Sequence, residues 1–323
     1  MLANTTVVGN KYQIVPDTRH RRVRQVQFCL EGLEEFLHES SSVSLQTLEY
    51  IPYERFIMAQ RLLKICDHCL GNELWSILND RSSGAFTVSL GKITKEPDEL
   101  IKFATAITYL IGLPNIDVLS GKYYARFLVS QTSNADSYLF QPKLFSLHTD
   151  GSFFHEPTDW LLLMVIKQQF VQGGESLLLH LDDWEEGKKL ASDPLAEHPF
   201  IFKGPPASDP RRISWGNHRD VEQVRRSIFY REAGELRFCF IDQFIQPETL
   251  KQAQYLKQIA DSLHSCPQTH SIALCEGELY VINNTFWIHG RNSFQRHENL
   301  LREAMRIRGK LVQTCSGKPE VLS

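Results

Sequence analysis

From Gly121 onward the chain alternates short β-prone runs with turn residues, and this punctuation restricts the fold more than any other feature. The pattern predicts strands over 123–129, 144–148, 160–166, 176–181, 200–202, 228–231, 236–241, 279–283 and 305–312. Gly151, Gly173-Gly174, Pro205-Pro206, Ala233-Gly234 and Gly277 break the runs, as turn formers do. One helix, 247–264, interrupts the series. Many short strands separated by turns fit a sandwich or a barrel. Upstream, 98–111 reads as a helix. Pro97 suits its first turn, Asp98 and Glu99 complement the dipole, and Leu100, Phe103, Ala104, Ile107, Leu110 and Ile111 make one apolar face. Residues 53–70 and the second half of 27–37 also read as helical. The expected class is α+β, a jelly roll with N-terminal helices on one sheet. The whole chain is read as one domain: 1–16 loosely ordered, 17–119 mainly helical, 120–315 the jelly-roll core.

Composition narrows the partners. A chain of 323 residues with 42% hydrophobic content can bury a sizeable core, and a net charge of −3 suggests no polyanionic ligand. The basic run Arg19 to Arg24, with His20 inside it, reads as a solvated face rather than a nucleic-acid site. Seven cysteines, an odd number in a chain of this size, argue against a disulfide scaffold and for a reducing compartment. Cys66 and Cys69 flank His68, but no second pair stands at zinc-finger spacing, so helix packing is the reading there. No run of about 18 apolar residues is present, which predicts no membrane span. The first ten residues lack a charged-then-apolar secretory pattern, so a cytoplasmic location is expected.

His148-Thr149-Asp150 closes a predicted strand just before Gly151. Side chains at i and i+2 of an extended backbone point the same way, so imidazole and carboxylate can bind adjacent corners of one metal ion. His289, after the predicted strand 279–283 and the turn Thr285-Phe286-Trp287, is the candidate third ligand. Two histidines and a carboxylate that leave open coordination positions form the facial triad of non-haem iron(II) oxygenases. The bland alternative is two satisfied core histidines and a turn-capping aspartate. His155 and His180 are weaker ligand candidates.

A 2-oxo-acid co-substrate needs cations shielded from water, and the planar guanidinium pairs bidentately with a carboxylate. Arg302, Arg306 and Arg308 fall on one face of the last strand if it starts early enough. The competing reading is a charged strand edge that discourages aggregation. Arg291 lies two residues beyond His289, and Ser176 follows Gly173-Gly174-Glu175, where its hydroxyl could reach the same carboxylate.

His148-Thr149-Asp150-Gly151, Gly173-Gly174-x-Ser176, His289-Gly290-Arg291 and Arg306-x-Arg308-Gly309 resemble the taurine-dioxygenase-like branch of 2-oxoglutarate oxygenases. The strings SGKYYARF (120–127), SLLLHLDDWE (176–185), IDQF (241–244) and INN with FW and HGR (282–291) look like the carbon-starvation-induced CsiD family of glutarate 2-hydroxylases. That resemblance implies a double-stranded β-helix, a cupin-like jelly roll, with added helices. It implies Fe(2+), 2-oxoglutarate and O2, glutarate hydroxylated to L-2-hydroxyglutarate, and release of succinate and CO2. It also implies service in lysine degradation and a homotetramer. It carries the metal ligands onto His148, Asp150 and His289, and the co-substrate carboxylate onto Arg306 or Arg308 with Ser176. The remaining arginine, with Arg302, Arg126 and Arg291, is the natural set for the substrate dicarboxylate, and Tyr123 and Tyr124 could add hydroxyl donors. Thr149, Ser152 and the loop 292–299 depart from the family pattern, which leaves the acid less determined than the chemistry. The alternatives are the same chemistry on another short carboxylate, sulfonate or betaine, a zinc hydrolase on the same ligands, and a binding module without catalysis.

Overall fold

Trp160–Gln169 is buried on both faces through Ile166, and its alternate side chains divide the interior into two cores. Trp160, Leu162, Met164 and Ile166 face a core filled by the N-terminal helices, while Leu161 and Val165 face the space between two sheets. Alternate side chains of a strand leave opposite faces, so a strand apolar on both faces must be covered on both. Each large side chain so buried contributes about 1.5–3 kcal/mol. The computed structural model describes residues 6–9, 11–66, 68–117, 120–131, 141–155, 158–204 and 223–314. Pro205-Pro206 and Cys315 lie outside them.

Among the described residues the larger sheet runs in the order Val7–Gly9, Tyr12–Pro16, Arg24–Phe28, Ala85–Ser89, Glu278–Asn283, Trp160–Gln169, Leu301–Leu311 and Gly112–Pro114. Ala125–Ser130 also pairs with Leu301–Leu311. The smaller sheet runs His270–Ile272, Ser176–His180, Trp287–Arg291 and Phe145–His148, all antiparallel. Leu161, Val165, Tyr280 and Ile282 of the larger sheet share one core with Leu147, Leu178 and Ile288 of the smaller. This is the double-stranded β-helix with flanking helices that the strand punctuation and the resemblance pointed to. No described helix is long and apolar enough to cross a membrane.

The helix Pro97–Ile111 is buried all round from Leu100 onward, not on one face. It is enclosed by the sheet and by the helices Pro52–Cys66 and Leu70–Asn79, and its polar side chains find local partners. Thr105 donates to Ile101 O at 2.7 Å and Lys102 Nζ to Ser40 O at 3.1 Å. In the N-terminal third the helix expected in the second half of 27–37 is present as Leu30–Ser40, while two other expectations need correction. Residues 12–16 are not loose: Tyr12–Pro16 is a sheet strand with Tyr12 and Ile14 buried. The region 17–119 also supplies two strands of the larger sheet, Arg24–Phe28 and Ala85–Ser89. The helix expected over 53–70 is Pro52–Cys66, and a new one, Leu70–Asn79, follows.

The basic run is likewise not a solvated face. Arg22 Nε and Nη2 each donate to Asp183 at 2.7 Å, Arg19 bridges Asp17 (2.9 Å) and Glu278 (2.6 Å), and Arg24 is buried. Arg21 alone stays largely in solvent, although it also reaches Asp183.

Candidate metal centre

The register of the smaller sheet brings the distant ligands together. Trp287–Arg291 lies between Ser176–His180 and Phe145–His148, so His289 pairs with His148 and Arg291 with Ser176. The rings of His148 and His289 stand 4.3 Å apart between centroids. Asp150 lies just past the strand end, with Oδ1 3.6 Å from His148 Nε2. One ligand atom from each of His148, Asp150 and His289 lies within 4.8 Å of the others, and all three residues are buried.

The turn carrying Asp150 is held from three sides. Asn284 Oδ1 accepts from Asp150 N–H at 2.9 Å, and its Nδ2 donates to Asp150 O at 2.9 Å and Thr158 O at 2.7 Å. Thr149 N–H donates to Phe240 O at 2.8 Å, and Thr149 Oγ1 accepts from Phe240 N–H at 3.0 Å. Gly151 has φ +78°, and a Cβ there would stand 2.1 Å from Thr158 Oγ1, so only glycine closes this turn. Ser146 O lies 2.7 Å from His148 Nδ1, which makes Nδ1 the donor to that carbonyl and orients the ring with Nε2 towards Asp150.

The electrostatics suit a cation. Burial pushes the Asp150 carboxyl up, but Arg306 first and then His148 outweigh it and hold the group well below the ordinary range. Burial, then His148, holds His289 down at about 3, so its imidazole is neutral and its lone pair available. Nδ1 of His289 is buried without a hydrogen-bond partner, and Asp150 Oδ2 makes an ion pair with Arg306 at 3.0 Å but no hydrogen bond. An orphaned imidazole nitrogen, in a buried imidazole–carboxylate set, is what an iron(II) ion would satisfy.

A cavity opens beside the ligands between the sheets, lined by Phe145, Ser176, Tyr280, Arg291, Arg302 and Arg306 among others. Leu301–Leu311 starts early enough to carry all three predicted arginines, and it is flanked by strands on both sides, so they are not a solvated edge. Arg302, Arg306 and Arg308 are 5%, 9% and 4% exposed. They differ in company. Arg306 Nη1 and Nη2 lie 3.0 Å from Asp150 and 3.0 Å from Asp117, and Arg308 reaches the same two carboxylates at 3.8 and 3.6 Å. Burial lowers Arg306, but Asp150 and Asp117 more than offset it. Arg302 has no carboxylate within ion-pair distance among the described residues. Burial draws it below its ordinary value, partly countered by Tyr280 and Glu175, and its guanidinium lies over the Phe294 ring at 5.8 Å. Ser176 hydrogen-bonds Tyr280, whose hydroxyl burial keeps protonated.

Other predicted residues are engaged differently, although Arg291 still lines the cavity. Arg291 donates to Gln141 O and Lys143 O and anchors the segment before Phe145. Arg126 points out of the cavity and pairs with Glu303 at 2.6 Å, because only alternate residues of Ala125–Ser130 face inward. Tyr123 lies in the helix-side core, sharing a 2.8 Å hydrogen bond with Thr105, and Tyr124 donates to Glu49 at 2.5 Å. These three stand off the site and do not line it. His180 packs on Phe286 and Trp287, away from the ligand cluster. Sequence reasoning missed Asp117, Tyr280 and the role of Asn284. The INN string contained Asn284, but nothing in the spacing tied Asp117 to the last strand.

A family model described as CsiD matches residues 12–311. The chain is 37% identical over 301 residues to a glutarate 2-hydroxylase of Klebsiella pneumoniae, covering 92% of this chain and 90% of that one. It is 35% identical over 320 residues to a glutarate 2-hydroxylase of Salmonella typhimurium, with 97% and 96% covered. Among solved structures, an asparagine oxygenase superposes with a TM-score of 0.68 at 13% identity, covering 88% and 92% of the two chains. The non-haem iron oxygenase OrfP superposes at 0.66 and 12%, covering 88% and 94%. At such identities these likenesses concern the fold alone. A match along nearly the whole chain, together with more than a third of positions shared with the Klebsiella enzyme, makes this chain a member of the CsiD family.

Proposed function

We propose that the chain is an iron(II)- and 2-oxoglutarate-dependent dioxygenase that converts glutarate to L-2-hydroxyglutarate, with one 2-oxoglutarate and one O2 consumed and one succinate and one CO2 released. The observation that carries this reading is the buried His148, Asp150 and His289 cluster facing a cavity that also receives an arginine with no acid partner among the described residues. Iron, when bound, supplies oxygen activation and the C–H chemistry. The chain's own residues bind, orient and exclude water. Arg302, with the hydroxyls of Ser176 and Tyr280 beside it, suits the remote carboxylate of 2-oxoglutarate. The expectation that Arg306 or Arg308 takes this carboxylate gives way to Arg302, because those two already face Asp117 and Asp150. Their remaining donors suit a carboxylate of the substrate. Phe127, Phe145, Leu161 and Leu163 line the cavity and keep it dry. The proposal includes a cytoplasmic location and assembly as a homotetramer, the latter checked by sedimentation.

The test is an anaerobic titration with iron(II) and 2-oxoglutarate, followed by oxygen and glutarate. A visible charge-transfer band, then succinate and 2-hydroxyglutarate in equal amounts, is expected. Succinate coupled to another short acid, sulfonate or betaine would change the substrate. No band and no succinate, with zinc retained instead, would overturn the oxygenase reading.

A further inference from the structure

Asp117 belongs neither to the ligand set nor to the proposed carboxylate clamp, yet it is 2% exposed at the heart of the site. Its Oδ2 lies 3.0 Å from Arg306 Nη2 and 3.6 Å from Arg308 Nη2. The Nη1 atoms of the same two arginines reach Asp150 Oδ2 at 3.0 and 3.8 Å. Two guanidiniums are therefore held side by side between two carboxylates, one of which is a metal ligand. Asp117 is presented from a closed turn, its N–H donating to Lys122 O at 2.7 Å and its carbonyl accepting from Gly121 N–H at 2.8 Å. Arginine stays charged even when buried, so each uncompensated guanidinium here repels a divalent cation and attracts any anion. With Asp117 neutral, both arginines would draw on Asp150 alone.

We propose that Asp117 is a positioning residue that tunes the metal centre through Arg306 and Arg308: its fixed negative charge offsets one buried guanidinium, leaves the charge of Asp150 to the metal ion, and keeps the arginine pair from taking up stray anions. The inference rests on His148, Asp150 and His289 being the metal ligands. It predicts opposite effects on cations and anions, which simple structural damage would not give.

The experiment is Asp117→Asn in the full chain, which keeps size and an acceptor for Nη2 and removes the charge. Cobalt(II), an air-stable stand-in for iron, is titrated in, and sulfate binding is measured separately. Cobalt affinity is expected to fall tenfold or more, the order seen when groups supporting metal ligands are changed, while sulfate binds about tenfold tighter. Adding Arg308→Gln restores the charge balance and is expected to return the cobalt affinity. Unchanged cobalt affinity in Asp117→Asn, or weakened binding of both ions, overturns the proposal. If Asp117→Asn does not fold, the double variant decides: parental cobalt affinity supports the proposal, and a tenfold loss or a second failure to fold counts against it. A parent chain that binds no cobalt would remove the ligand reading itself, an outcome separate from any of these.

Discussion

At the scale of single residues, the centre depends on keeping the His289 imidazole neutral and the Asp150 carboxylate ionised. Burial does the first, since it disfavours imidazolium and holds His289 at about 3. Arg306 does much of the second. His148→Ala removes a donor that no neighbour can replace, and is expected to abolish cobalt or iron binding and turnover while the circular dichroism stays that of the parent. Retained turnover would end the ligand assignment. Arg302→Leu keeps bulk but removes the cation that has no acid partner among the described residues. It is expected to weaken 2-oxoglutarate binding by about 100-fold, or about 2.7 kcal/mol, with less effect on cobalt affinity. If Arg306→Leu or Arg308→Leu has that effect and Arg302→Leu does not, the clamp passes to them. The three arginines were legible because even spacing on a strand means one face. Which of them is free was not, because that depends on Asp117, whose place is fixed by a turn far away in sequence.

Among elements, the decisive one is the turn that follows Phe145–His148. The i, i+2 spacing of His148 and Asp150 was readable, but not the scaffold that keeps Asp150 in place once the strand has ended. Three hydrogen bonds from Asn284 and two with Phe240 do so, and both partners come from remote segments. Gly151→Ala forces a left-handed backbone on an L side chain and drives Cβ towards Thr158. Such strain costs about 1–3 kcal/mol, and denaturant unfolding should show a loss of that size together with weaker cobalt binding. A variant with parental stability and affinity would mean that the turn is not held as described. The same contrast explains the N-terminal third. Pro97–Ile111 was legible from its periodicity, and the late strands from their punctuation. Tyr12–Pro16 and Arg24–Phe28 are short and carry glutamines on their outer positions, so nothing local marks them as strands. They exist because Ala85–Ser89 and Glu278–Asn283 offer a sheet edge to extend.

For the molecule as a whole, the segment between those two strands fastens the N-terminal end of the larger sheet to the rest of the protein through acids. Arg22 pairs with Asp183, and Arg19 with Asp17 and Glu278. Burial pushes the Asp183 carboxyl up, but its hydrogen bond with Arg22 outweighs this and leaves it at about 2, below an ordinary 3.8. Asp17 is lowered in the same sense, with burial opposed by its bonds from Arg19. A carboxyl depressed in the folded state contributes stability that is fully present above its unfolded value and is lost as pH falls through the folded one. The clasp should therefore hold at pH 5 and above and loosen between about pH 4 and pH 2. The ligand cluster lies in the other sheet, so this loosening is local at first. Hydrogen exchange at pH 3 is expected to speed up in Tyr12–Pro16 and Arg24–Phe28 before Trp160–Gln169, relative to pH 6 and after correction for the intrinsic pH dependence of exchange. Asp183→Asn should bring that early exchange to neutral pH. Uniform acceleration across both sheets would mean that the acids act on the fold globally and that the basic run is no clasp.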